Sequence, residues 1–165
     1  MPDTDRLKLP LLATAQAQKE MTHNEALTLL DAAVQATVIG VAPAAIPTMP
    51  VPGQCWIVGV NAAGGWAGHD GALATWTGGG WRFVAPFEGM AVWSLADNTV
   101  ARRLASLWTL GKITGRTLDI DGQQVVGARR AAIADPTGGT TIDAEARATL
   151  TAALWALRGH GLIAL

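Results

Sequence analysis

The stretch Ala72-Leu73-Ala74-Thr75-Trp76-Thr77-Gly78-Gly79-Gly80-Trp81-Arg82-Phe83-Val84-Ala85 decides how this chain is read. Two short runs rich in β-formers, residues 72–77 and 81–85, flank three glycines that supply the positive φ of a tight hairpin. Around it the same punctuation recurs. Residues 55–60 form a short apolar run that ends in a turn cluster at Asn61 to Gly65, and residues 90–95 form another, closed by Asp97 and Asn98. The run from Thr99 to Leu110 fits either strand or helix. As a strand it places Arg102 and Arg103 on opposite faces, one of them facing inward. Further on, Asp121-Gly122 is a two-residue turn between residues 117–120 and 123–126.

Helices are expected at both ends. Thr22-His23-Asn24-Glu25 has the form of a capping box, and Leu27, Leu30, Ala33, Val34 and Val38 follow at helical spacing, which predicts a helix over residues 23–37. Residues 13–20 fit a short helix or an extended lead-in. A second helix is expected to begin at Asp143, a good N-cap. Ala146, Leu150, Ala153 and Leu157 fall on one stripe of it, widened by Leu154, and Gly159 or Gly161 ends it in a left-handed cap. Pro43, Pro47, Pro50 and Pro52 make residues 41–53 a linker. The expected fold is therefore α+β: an N-terminal helical oligomerisation segment (1–40), a Pro-rich linker (41–53), a small antiparallel β module of hairpins (54–127) and a C-terminal helix segment (128–165).

Composition narrows the function. Of the 165 residues, half are apolar and only 15% are charged, which for a soluble monomer is low and points to a surface that meets other protein. Lys and Arg total 12 against 13 Asp and Glu, so net charge offers no field for a nucleic-acid backbone. No signal peptide or membrane-spanning run is visible, which implies synthesis in the cytoplasm without membrane insertion. The single cysteine, Cys55, lies in an apolar run and reads as a packed thiol.

Catalytic motifs are absent from the sequence. His23, His69 and His160 accompany no nucleophile elbow, phosphate loop or zinc-type spacing, so no catalytic residue, metal or cofactor is expected. Asp119-Ile120-Asp121-Gly122 lacks the outer ligands of a calcium loop. The seven tryptophans are the informative group. Indoles serve as core or as stacking surfaces for sugar rings and protein partners. Trp66, between Gly65 and Gly68, is expected to be the most exposed, and with His69, Asp70 and Trp76 it forms the candidate glycan site. Asp70-Gly71 reads equally as a hairpin turn.

Several strings carry a family resemblance. Leu9-Pro10-Leu11-Leu12, Ala15-Gln16-Ala17-Gln18-Lys19-Glu20 and Thr22-His23-Asn24-Glu25-Ala26-Leu27 resemble the opening of an uncharacterised domain family of prophage tail proteins and gene transfer agents. Trp56-Ile57-Val58-Gly59, Gly65-Trp66-Ala67-Gly68 and Trp81-Arg82-Phe83-Val84-Ala85-Pro86 continue it over roughly residues 7 to 95. The segment from Val125 to Ile163 is similar to C-terminal parts of phage fibre-like proteins. One departure concerns residues 97–110, where a Gly-Trp-like closing hairpin is expected and Asn98-Thr99-Val100-Ala101-Arg102-Arg103 stands instead, which puts the last strand in question.

The resemblance implies a part of a virion or gene-transfer-agent surface, a tail fibre or head spike, that assembles with other particle proteins and adheres to host cell-surface polysaccharide. The alternatives are a polysaccharide-degrading tail-spike enzyme, relying on Asp70 or Glu88, and a purely structural adaptor. A symmetric homo-oligomer fits the apolar seams, with Leu27, Leu30, Val34, Ala146, Leu150, Ala153 and Leu157 at its interface. A trimer is favoured, and a pentamer is the fallback.

Overall fold

The computed structural model describes residues 2–13 and 19–164, and the fold is α+β. The expected lead-in over residues 13–20 falls mostly outside the described residues. The chain divides into two units, Met1–Lys112 and Ile113–Leu165. The hairpin expected in the β module at residues 117–126 thus belongs with the C-terminal helix.

In the first unit, helix α1 (Lys19–Ala33) precedes β1 (Thr37–Val38), β2 (Cys55–Ile57), β3 (Leu73–Thr77), β4 (Gly80–Val84), β5 (Ala91–Ser94), β6 (Thr99–Leu104) and β7 (Leu107–Leu110). Strands β2-β3-β4 form an antiparallel sheet, and β1-β5-β6-β7 form a second in which β1 runs parallel to β5. Chain 36–42 joins the two. It takes Trp93 N–H at the Ala36 carbonyl, then gives Ile39 N–H to the Cys55 carbonyl at 2.8 Å and Ala42 N–H to that of Ile57 at 2.9 Å. The Pro-rich residues 43–53 contain no helix or strand, as their missing donors dictate. They are a loop within this unit rather than a tether between bodies.

Helix α1 is displaced from its expected place by four residues at each end. Thr22 lies inside the helix, so it caps nothing. Asn24 instead behaves as a strand partner for Leu12, accepting its N–H at 2.9 Å and donating to its carbonyl at 3.0 Å. The early stop has two causes: Gln35 turns left-handed (φ 45°), and the Arg6 guanidinium donates to the carbonyls of Asp31, Ala32 and Gln35. A cation there satisfies orphan carbonyls and meets the negative end of the helix dipole. The expected stripe is only partly inward. Leu30 and Val34 stay exposed, while Asp31 and Ala32 are buried.

Alternation along β3 sends its residues to two cores. Leu73, Cys55 and Ile57 join Ala32, Ala36, Val38, Met90, Val92 and Ala101 on one face of the β2-β3-β4 sheet. Ala74 and Trp56 join Val58 and Trp66 on the other. Burial of Leu73 or Ile57, each at most 1% exposed, stabilises by roughly 1.5–3 kcal/mol.

The uncertain stretch is a hairpin. Strands β6 and β7 pair through Arg102↔Thr109 and Arg103↔Trp108, turning at Ala105 and Ser106, both of positive φ (48° and 62°). Of its arginines, Arg102 is exposed and Arg103 half-buried. The triple-glycine turn also differs in detail. Thr77 pairs with Gly80, and among the three glycines only Gly80 has positive φ (101°).

In the second unit, β8 (Leu118–Ile120) and β9 (Gln123–Val126) meet at Asp121-Gly122, both left-handed. Helix α2 (Ala144–Gly159) starts at Asp143, whose carboxylate accepts the Ala146 N–H at 2.8 Å. It ends with Gly161 at φ 72° and Leu162 N–H returning to the Leu157 carbonyl, a Schellman motif. Ile163 is buried beside Arg130, with which it bridges.

Candidate functional site

The register of the β3–β4 hairpin opposes Trp76 to Trp81 and Ala74 to Phe83, while β2 opposes Trp56 to Ala74. Side chains alternate along a strand, so Trp56, Trp76, Trp81 and Phe83 share one face. Trp81 is its hub. Its ring meets Trp56 at 5.6 Å, Trp66 at 5.1 Å and Trp76 at 5.0 Å, each edge-to-face, with interplanar angles of 75°, 80° and 68°. Such pairs contribute about 0.5–1.5 kcal/mol each beyond area burial and hold the rings rigidly.

The loop between β2 and β3 covers part of this face. A 3-10 turn at Gly64–Trp66 plants the Trp66 indole on Trp81, and Gly65 passes 3.6 Å from the Trp81 ring at the place where a Cβ would stand. Trp66 is therefore 3% exposed, the reverse of the exposure expected for it. A glycine-flanked tryptophan reads as a loop tip, but here the glycines let the loop fold back. Its Nε1 is buried without a hydrogen-bond partner among the described residues, a cost of about 1–3 kcal/mol.

His69 lies flat on Phe83, ring centres 3.6 Å apart and planes 4° from parallel. Asp70 faces its own loop, accepting Asn61 N–H at 2.8 Å and Ala62 N–H at 2.9 Å. These two amides hold its carboxyl below the ordinary range. Trp76 and Trp81 are half-buried and offer ring surface to solvent.

Of the four candidate residues, Trp66 and Trp76 meet through Trp81, His69 sits on Phe83 of the same sheet face, and Asp70 shapes the loop. Trp81 and Phe83 complete the face and were missing from the expected site. The spacing across the glycine turn, which pairs position 76 with 81, was the signal that could have found them. A hollow of about 470 Å³ adjoins Trp66, between residues 43–46 and 59–64. Among the described residues no group of three or more His, Cys, Asp or Glu is placed to hold a metal. No described helix is long and apolar enough to cross a membrane.

The residues expected at an oligomer interface are divided between the units. In α1, Leu27 is half-buried, Leu30 is exposed, and Val34 follows just beyond the helix. In α2, Ala146, Leu150, Ala153 and Leu157 are all exposed, and no residue of that helix is buried. Trp155, which the expected stripe omits, is 68% exposed.

A search of curated proteins finds no match to the chain. Residues 23–109, from within α1 to within β7, match a family described as "Protein of unknown function (DUF2793)". The match takes in the whole aromatic face and more than half of the sequence, and the chain belongs to that family.

Proposed function

We propose that this chain is a non-catalytic adhesive subunit of a phage-like particle, a tail fibre or head spike of a prophage or gene transfer agent, that binds polysaccharide on the host cell surface. The observation that carries this reading is the pair Trp76 and Trp81. Two half-buried indoles, locked edge-to-face on a rigid sheet beside the His69–Phe83 stack, offer apolar ring surface of the kind on which sugar rings lie. Rigid aromatic anchors bind with little loss of side-chain freedom. The resemblance of the opening strings to particle proteins supplies the setting.

The acids that an enzyme would use have other employment. Asp70 accepts two backbone amides and Glu88 accepts Ala105 N–H at 3.1 Å, which favours adhesion over glycan cleavage. The test is binding of the purified chain to polysaccharide extracted from host cells. Wild-type chain is expected to bind without releasing reducing ends, and Trp76→Ala to lose at least about tenfold in affinity, as for a lost aromatic anchor. Release of reducing ends that stops in Asp70→Asn or Glu88→Gln would replace this reading with the enzymatic one.

A second reading, that of a structural adaptor, draws on α2. Its stripe is uncovered, with Leu150 55% exposed, and Trp155 on another face is 68% exposed; both suit burial against copies of the chain or another particle protein. In that case Trp76→Ala would leave attachment of particles to cells unchanged.

A further inference from the structure

A groove of about 280 Å³ lies between the end of β2 and the β6–β7 hairpin, walled by Val60, Leu107 and Trp108 and holding Asp70, Arg103 and Ser106. Arg103 stands opposite Trp108 in the register, and both rest on Gly71. The Trp108 Nε1 donates to the Gly71 carbonyl at 2.8 Å, and a Cβ on Gly71 would lie 3.1 Å from the Arg103 Nη1. Gly71 also has φ 72°, a backbone that favours glycine, and a side chain there would in addition press on the guanidinium.

The half-buried guanidinium packs over Gly71 and has no acidic partner among the described residues. The ion pairs among the described residues are Arg82–Glu25 and Arg158–Asp135. Asp70 lines the same groove but turns its two oxygens to the Asn61 and Ala62 amides. A partly desolvated arginine without a carboxylate is costly, and its planar fork matches an incoming carboxylate with two parallel hydrogen bonds.

We propose that this groove seats the carboxylate of an acidic sugar, with Arg103 as the carboxylate clamp, Ser106 as a hydroxyl contact, and Trp108 and Leu107 under the apolar ring face. Asp70, with lone pairs to spare, accepts from sugar hydroxyls. The assignment rests on the polysaccharide reading above and narrows it to uronic-acid-bearing chains.

The test is NMR titration of the full ¹⁵N-labelled chain with millimolar glucuronate and, separately, glucose. Glucuronate is expected to shift the Arg103 Nε–H and Gly71 amide signals saturably, and glucose to leave them in place. Arg103→Lys, which keeps the charge, is expected to weaken glucuronate binding about tenfold through loss of the bidentate pair. Arg103→Gln is expected to abolish it, with the remaining amide signals showing that the fold persists. Equal shifts from inorganic phosphate would overturn the assignment to a sugar carboxylate. Silent Arg103 signals in a chain whose polysaccharide binding is lost in Trp76→Ala would overturn this seat and leave the aromatic-face reading standing. Shifts at Arg103 in a chain that binds no polysaccharide would do the opposite.

Discussion

The hydroxyl of Thr4 donates to the buried carboxylate of Asp31 at 2.8 Å, across 27 positions of sequence. The backbone amides of Arg6 and Leu7 donate to the same carboxylate, and Arg6 lays its guanidinium over the carbonyls just beyond. Residues 2–11 therefore form a strap closed on itself, with Thr4 N–H bonded to the Leu9 carbonyl and Leu11 N–H to that of Pro2. Removal of a buried acceptor leaves its donors stranded at about 1–3 kcal/mol or more, so Asp31→Ala is expected to cost roughly 2–4 kcal/mol in urea denaturation. Thr4→Val, which removes one donor, is expected to cost about 1 kcal/mol.

Trp81→Ala is expected to destabilise by about 3–5 kcal/mol, because the substitution opens a cavity and breaks three aromatic pairs. Trp76, half-buried at the margin, should cost less when replaced by alanine. Thermal melts followed by near-ultraviolet circular dichroism would rank the two, and an equal loss would remove Trp81 from its central place.

The turn between β6 and β7 uses Ala105 and Ser106 in a conformation that asparagine and glycine adopt more cheaply. The double substitution Ala105→Asn with Ser106→Gly is expected to raise stability by about 1 kcal/mol, read as a higher urea midpoint with an unchanged slope.

How much of this was legible in the sequence follows from where the information sits. The hairpin across Gly78 to Gly80, the Asp121-Gly122 turn and the Asp143 cap are local patterns, each fixed within a few residues and readable, whereas the register that opposes Trp76 to Trp81 depends on Gly80 joining the strand. A capping-box reading of Thr22 to Glu25 sets helix α1 four residues late, because Asn24 spends its side chain on Leu12 instead. The strap from Thr4 to Asp31 has no periodicity, and the β6–β7 turn has no glycine or asparagine, so neither left a signal. The burial of Trp66 depends on a loop folding back onto Trp81, a tertiary event that flanking glycines permit without announcing.

Asp70 gives a pH prediction with a definite sign. Its carboxyl is held below the ordinary value of about 4 by the Ala62 and Asn61 amides, so its contribution is complete above that value and lost as pH falls through the lowered one. The Asn61 and Ala62 amide signals are expected to move together in that acidic window, and Asp70→Asn to abolish the movement. Independent movement of the two amides would contradict the shared acceptor.

Cys55 is buried, and burial above all raises the pKa of its thiol. In the folded chain it should resist alkylation at pH 8 and react only in denaturant. Since the unfolded thiol ionises near about 8.5, stability should be flat below that pH and fall as pH rises through the higher folded value. Rapid alkylation of the native chain would show that the core around Leu73 opens readily.

The β2-β3-β4 sheet separates two clusters that share no side chain. Odd positions of β3 answer to the helix and the neighbouring sheet, even positions to the tryptophans. Such a partition makes the hairpin a plate with a packed cluster on either side. Substitutions at the half-buried margin, such as Trp76, therefore fall on one core and leave the packing of the other untouched, so the two sides of the plate can change separately.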